Sequence, residues 1–147
     1  MKVDIVTLKI AKEYEFSISG DNEYIYGIET AEVLFCSFIG SCNIEHVALL
    51  CLDRTNKIIN LSKIAIGNVE NVFVSPAQIL KIALLSNASK IMVAHNHPSG
   101  VLKVTSNDIN ATKRIGALAA QFDIELIDSL VVNEHKSLSI REELGKQ

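Results

Sequence analysis

The sequence predicts an α+β or mixed α/β domain, and three observations predict it. A nearly continuous apolar run at 45–52 (EHVALLCL), a turn at 53–57 and an alternating stretch at 58–66 together read as a strand hairpin. Two stretches of near-helical apolar spacing open on capping residues, at Ser75 and at Thr105. Between them lies a short apolar strand at 90–94 (KIMVA). The chain has 147 residues, the size of one compact domain. A domain of that size buries roughly 68–70% of the surface its unfolded chain exposes, so it needs no disulfide or metal staple to fold. With 48% apolar and 21% charged residues, disorder is excluded. The absence of Trp, 5% aromatics and a net charge of −3 argue against a base-stacking platform and against a surface built to neutralise phosphates.

In chain order, residues 1–28 are weakly patterned, with strand pieces expected at 3–10 and 15–18; they read as an N-terminal extension packing on a domain that runs over 29–147. Val33, Leu34, Phe38 and Ile39 recur at helical spacing, and Gly40 is placed to end that helix. The run 45–52 is apolar on consecutive residues, as a strand covered on both faces requires. Ser75-Pro76-Ala77-Gln78 combines an N-cap serine, a first-turn proline and a glutamine that completes a capping box. Thr105-Ser106-Asn107-Asp108 is a second capping box, opening a helix with Ile109, Ile115, Leu118, Ala119 and Phe122 expected inward. Short strands at 124–127, 129–132 and 138–140 close the chain around a turn at 133–136.

No apolar stretch has the length of a signal-peptide core, and the longest apolar run, 47–52, is too short for a membrane span. Cys36, Cys42 and Cys51 are odd in number and lack C-x-x-C spacing, so they read as buried free thiols. The expected location is the cytoplasm, with no membrane partner.

The stretch that carries chemistry is His95-Asn96-His97-Pro98-Ser99-Gly100 and its continuation to Asp108. Histidines two apart on an extended chain point to one side, so both imidazoles can meet one ion. Asp108, in the first turn of the next helix, can be brought to the same ion by the intervening loop. Two imidazoles and one carboxylate leave a fourth position open, the ligand set of a catalytic zinc site. Spacing alone leaves Asp108 a second reading, as the helix-capping carboxylate.

The pattern H-x-H-P, a hydroxyl residue eight positions after the second histidine and Asp three further on resembles the JAMM motif of JAB/MPN-type zinc metalloproteases. Thr105 and Asp108 stand at those places. The run AHNHPSG, and its spacing from EHVALLCLD and SPAQILKIALLSNASKIMVA, resembles the RadC-type JAB domain over residues 29–143. The resemblance implies a JAB/MPN-like, cytidine-deaminase-like mixed sheet flanked by helices. It further implies Zn²⁺ on His95, His97 and Asp108, Glu45 as general base and the Thr105 hydroxyl as oxyanion donor. The implied reaction is hydrolysis of a peptide or isopeptide bond, with a protein or peptide as substrate. Family members usually carry serine at the place of Thr105, which makes Ser106 a second candidate, and a proline-rich loop at 101–104. Longer RadC-like proteins add a helix-hairpin-helix region, of which residues 1–28 show no trace.

The remaining polar residues have structural readings. His46 should face away from Glu45, His135 sits in a turn, Asn96 reads equally as a plain loop residue or as one that orients backbone around the site, Ser99 reads as a turn residue, Lys113 and Arg114 as a solvated helix face and Cys51 as core. The competing function is a non-catalytic DNA-repair-associated or scaffolding module, against which the complete ligand set speaks; direct nucleic-acid contact is not expected of an acidic chain. A zinc nucleoside deaminase would need H-x-E with a distant P-C-x-x-C, and neither occurs. A sheet edge leaves room for homodimer formation.

Overall fold

The computed structural model describes residues 1–18, 20, 23–67 and 75–146. Its elements are α1 (Gly27–Ile39), β1 (Glu45–Leu52), β2 (Ile58–Gly67), α2 (Pro76–Leu85), β3 (Lys90–Asn96), α3 (Ser106–Ala120), β4 (Glu125–Val132), β5 (Ser137–Ser139) and α4 (Ile140–Gly145). The strands form one five-stranded sheet in the order β2-β1-β3-β4-β5. Only β3 and β4 run parallel, and α3 makes the crossover that a parallel pair needs. The domain is therefore mixed α/β, with helices on both faces of the sheet.

The apolar run of β1 is explained by those two faces. Ala48, Leu50 and Leu52, with Met92 and Ala94 of β3, pack with Leu34, Phe35 and Phe38 of α1. The alternate residues Val47, Leu49 and Cys51, with Ile91 and Val93, pack with Ile79 and Ala83 of α2 and Ile115 and Ala119 of α3. Each large side chain buried this way contributes roughly 1.5–3 kcal/mol.

Several local expectations are corrected. Helix α1 starts at Gly27, whose φ of +81° turns the chain into the helix. Ser75 occupies the N-cap of α2 and Pro76 its first position, but the serine side chain makes no capping bond; the Gln78 N–H donates to the Ser75 carbonyl instead, at 3.0 Å. The segments 125–127 and 129–132 belong to the single strand β4, which starts one residue after Ile124 and whose register against β3 shifts between Ile91 and Met92 and so breaks the alternation. Ile140 opens the short helix α4 rather than ending a strand. Phe122 lies beyond the end of α3, after its cap residue Gln121, and is half exposed. The strand pieces expected at 3–10 and 15–18 join no ladder. Of the extension, Phe16, Ile18 and Ile25 touch the body, while residues 1–15 form no helix or strand and are exposed.

Cys36, Cys42 and Cys51 are free. Burial first, with Glu32 adding to it, pushes the Cys36 thiol up to about 11. Burial likewise pushes Cys51 up to about 11 against the opposing effect of Ser86. Both are core thiols without nucleophilic character at neutral pH. No helix among the described residues is long and apolar enough to cross a membrane.

Candidate metal centre

The site is assembled by strand pairing. β1 and β3 are antiparallel, with Val47 opposite His95, so the same register carried two residues on sets Glu45 against His97. Side chains two apart share a face, which puts Glu45, His95 and His97 together on the α2/α3 side of the sheet. One donor atom from each of the three lies within 4.8 Å of the other two. The two imidazole centroids are 5.0 Å apart.

Each histidine is oriented by its surroundings. Nδ1 of His97 lies 3.1 Å from the Val101 carbonyl; as the donor in that bond it leaves Nε2 with its lone pair toward the centre. The loop that supplies this carbonyl is tight: the Gly100 N–H donates to the His97 carbonyl at 2.8 Å, the Val101 N–H donates to Ser99 Oγ, and Asn133 holds the Gly100 carbonyl. Ser99 is thus a turn residue. Nε2 of His95 is buried without a hydrogen-bond partner. It lies 3.1 Å from Asp108 Oδ1, close enough for electrostatic attraction but without the alignment of a hydrogen bond.

Asp108 closes the cap of α3 and also faces His95. Its Oδ2 accepts from the Thr105 N–H at 2.8 Å, and its own N–H donates to Thr105 Oγ1 at 3.2 Å, closing the capping box of α3. Its Oδ1 is left for His95. Asp108 touches that histidine but stands outside the mutually close group of Glu45, His95 and His97. The Thr105 hydroxyl uses a lone pair in the cap and donates its proton to no described residue.

Burial alone would raise the Asp108 carboxyl, but the adjacent His95 imidazole and the Thr105 N–H outweigh it and hold the pKa at about 2. A carboxyl lowered on folding stabilises the native state above its unfolded pKa and loses that stabilisation as pH falls through the folded one. Metal-free protein is therefore expected to lose about 2 kcal/mol between roughly pH 4 and pH 2 through this group. Urea melts across that window should be flatter for Asp108→Asn; an unchanged pH slope would contradict the assignment.

Asn96, between the two histidines, orients backbone around the site. Its side chain is fully buried: Oδ1 accepts from the His46 N–H at 2.6 Å, and Nδ2 donates to the carbonyls of Ile44, at 3.1 Å, and Cys42, at 3.3 Å. It ties the end of β3 to the lead-in of β1 and clamps both neighbours of Glu45. The sequence held one signal for this: on a strand, Asn96 must point away from the face shared by His95 and His97, and so into the protein.

The other polar residues stand as their structural readings have them. His46 is buried with Nδ1 2.9 Å from the Ile44 carbonyl, and His135 is exposed beside Glu134. Lys113 and Arg114 are exposed on α3.

The donor chemistry fits a divalent transition metal. A buried, unpartnered imidazole nitrogen facing a carboxylate is an arrangement that a cation between them would satisfy, and imidazole with carboxylate is a ligand set that suits zinc.

A family model for the RadC-like JAB domain matches residues 26–146, a span that holds every residue of this centre. The chain belongs to the RadC-like JAB domain family. Its similarity extends to a UPF0758 protein of Finegoldia magna, 37% identical over 74% of this chain and 48% of the relative. A UPF0758 protein of Aquifex aeolicus is also 37% identical, over 67% of this chain and 43% of the relative. One from Clostridium acetobutylicum is 29% identical over 96% of this chain and 62% of the relative. The RadC-like domain described here thus spans about half the length of the curated relatives it matches.

Proposed function

We propose that this RadC-like domain is a zinc-dependent hydrolase of the JAMM type, cleaving a peptide or isopeptide bond. The observation that carries the reading is the convergence of Glu45, His95 and His97 within 4.8 Å, with Nε2 of His95 buried and unpartnered. His95, His97 and Asp108 would hold the metal. A bound zinc ion supplies a Lewis acid and brings the pKa of its water to about 7. Glu45, held by the Asn96 clamp, takes a proton from the attacking water. As the carbonyl carbon gains the water oxygen and the C–N bond breaks, Glu45 passes that proton to the leaving amine. The Thr105 hydroxyl donates to the oxygen that gains negative charge on the attacked carbonyl.

The test pairs metal content with turnover. Zinc-loaded protein is assayed against fluorogenic peptides and Lys-linked isopeptides, with Glu45→Gln beside wild type. The variant should keep its zinc and lose roughly 10²–10⁴ in rate, the usual contribution of a general base. Loss of the metal together with turnover would make Glu45 a ligand instead, and wild-type turnover would remove it from the chemistry.

A further inference from the structure

The loop that turns His97 toward the centre is held from one place. Pro98, Ser99, Gly100 and Val101 are all exposed, so burial of their side chains does not fix them. The Gly100 N–H donates to the His97 carbonyl at 2.8 Å and the Val101 N–H to Ser99 Oγ at 3.3 Å; neither bond leaves the loop. Among the described residues, one hydrogen bond joins residues 98–104 to a part of the fold outside the loop. In it, Nδ2 of Asn133 donates to the Gly100 carbonyl at 3.0 Å.

Asn133 is itself fixed independently of that loop. Its Oδ1 accepts from the N–H groups of His135, at 2.9 Å, and Lys136, at 2.7 Å. Its own N–H donates to the Lys136 carbonyl at 2.9 Å, which closes the β4–β5 turn. Its backbone carbonyl lies against Gly40 at the end of α1. One amide side chain thus gives its oxygen to the turn and its nitrogen to the loop beside the candidate metal centre.

We propose that Asn133 is a positioning residue for His97. By pinning the Gly100 carbonyl it holds Val101 where its carbonyl meets Nδ1 of His97, at 3.1 Å. That contact keeps the ring proton on Nδ1 and turns the Nε2 lone pair toward Glu45 and His95. The effect on the ring needs no metal; its consequence for zinc rests on the JAMM-type reading of the site. Asn133→Asp separates the two halves of the amide. A carboxylate keeps both acceptor bonds of the turn, but it offers no proton to the Gly100 carbonyl and its second oxygen repels that group. Added negative charge by itself favours a nearby cation, so weaker zinc binding in this variant has to come from the displaced loop.

Long-range proton–nitrogen NMR of the metal-free protein, recorded above the histidine titration range, reads the His97 ring, and amide exchange at His135 and Lys136 reads the turn. In the wild type the His97 proton is expected on Nδ1. In Asn133→Asp it should be divided between the two nitrogens, with the His135 and Lys136 amides exchanging as in the wild type. Zinc affinity, from competition with a chelating dye, should fall about tenfold, as for loss of a partner beyond a ligand. Asn133→Ala also frees the turn and should add faster exchange at His135 and Lys136. A His97 ring unchanged in Asn133→Asp, or a wild-type ring with its proton on Nε2, overturns the proposal. An altered ring with undiminished zinc affinity overturns the link from loop to metal. A wild type that binds no zinc removes the hydrolase reading, while the His97 ring still decides the role of Asn133.

Discussion

His97→Ala is expected to strip the protein of tightly held zinc, taking the metal content after dialysis from one ion per chain to none. His97 lies in one close group with Glu45 and His95, and its Nδ1 contact with the Val101 carbonyl turns Nε2 toward the centre. Removing the ring leaves one imidazole, His95, and one carboxylate, Asp108, of the proposed ligand set. Losing an outer partner of a ligand costs roughly 10–100-fold in affinity, so losing the ligand itself should cost more than that. His135→Ala serves as the control, since that side chain is exposed beside Glu134. Elemental analysis reads both variants directly, with no substrate needed. Zinc retained at wild-type stoichiometry by His97→Ala would remove the proposed site.

The second large effect concerns stability. Gly40→Ala should destabilise the fold by about 3 kcal/mol, with a fall in Tm of roughly 10 °C for a domain of this size. On local grounds the change looks harmless or favourable, because Gly40 has φ −62° and ψ −32°, an α-helical conformation that alanine adopts readily. The obstacle is tertiary. A Cβ at this position would run into the backbone carbonyl of Asn133, with its oxygen closest and its carbon at 2.8 Å, and into the Cys36 carbonyl at 2.5 Å. Neither is the soft end of a side chain. Asn133 is fixed in the β4–β5 turn: its N–H donates to the Lys136 carbonyl, and its Oδ1 accepts from the N–H groups of His135 and Lys136. The turn cannot yield without giving up those bonds. Differential scanning calorimetry checks this, and an unchanged or higher Tm would show that α1 and the turn separate at little cost.

Gly40 illustrates how a residue is read for one reason and retained for another. As the end of an amphipathic run it suggests a helix stop, and α1 does end there. Its indispensability, though, comes from a close approach to a residue far along the chain, which no local pattern encodes. Ser75 and Thr105 make the same point from the other side. Both head a capping-box sequence, but only Thr105 and Asp108 form the reciprocal bonds, whereas Ser75 contributes only its backbone carbonyl.

The candidate metal centre divides along the same line. That His95 and His97 share a face follows from the two-residue period of a strand, a property of the few residues involved. The capping role of Asp108 is equally local, confined to one turn of helix. By contrast, the place of Glu45 among the histidines rests on the pairing of Val47 with His95, and the steadiness of that pairing on Asn96 reaching back to Cys42, Ile44 and His46. The amino-acid sequence by itself determined the mixed α/β class, the two-faced burial of β1 and the histidine pair, because periodicity and turn chemistry act over a few neighbouring residues. Only the tertiary structure decided that Glu45 stands against His97, that Asp108 divides its two oxygens between cap and histidine, and that Gly40 must lack a side chain. Each of those depends on strand register or close packing between segments distant in the chain, where a shift of one residue or one methyl group changes the outcome.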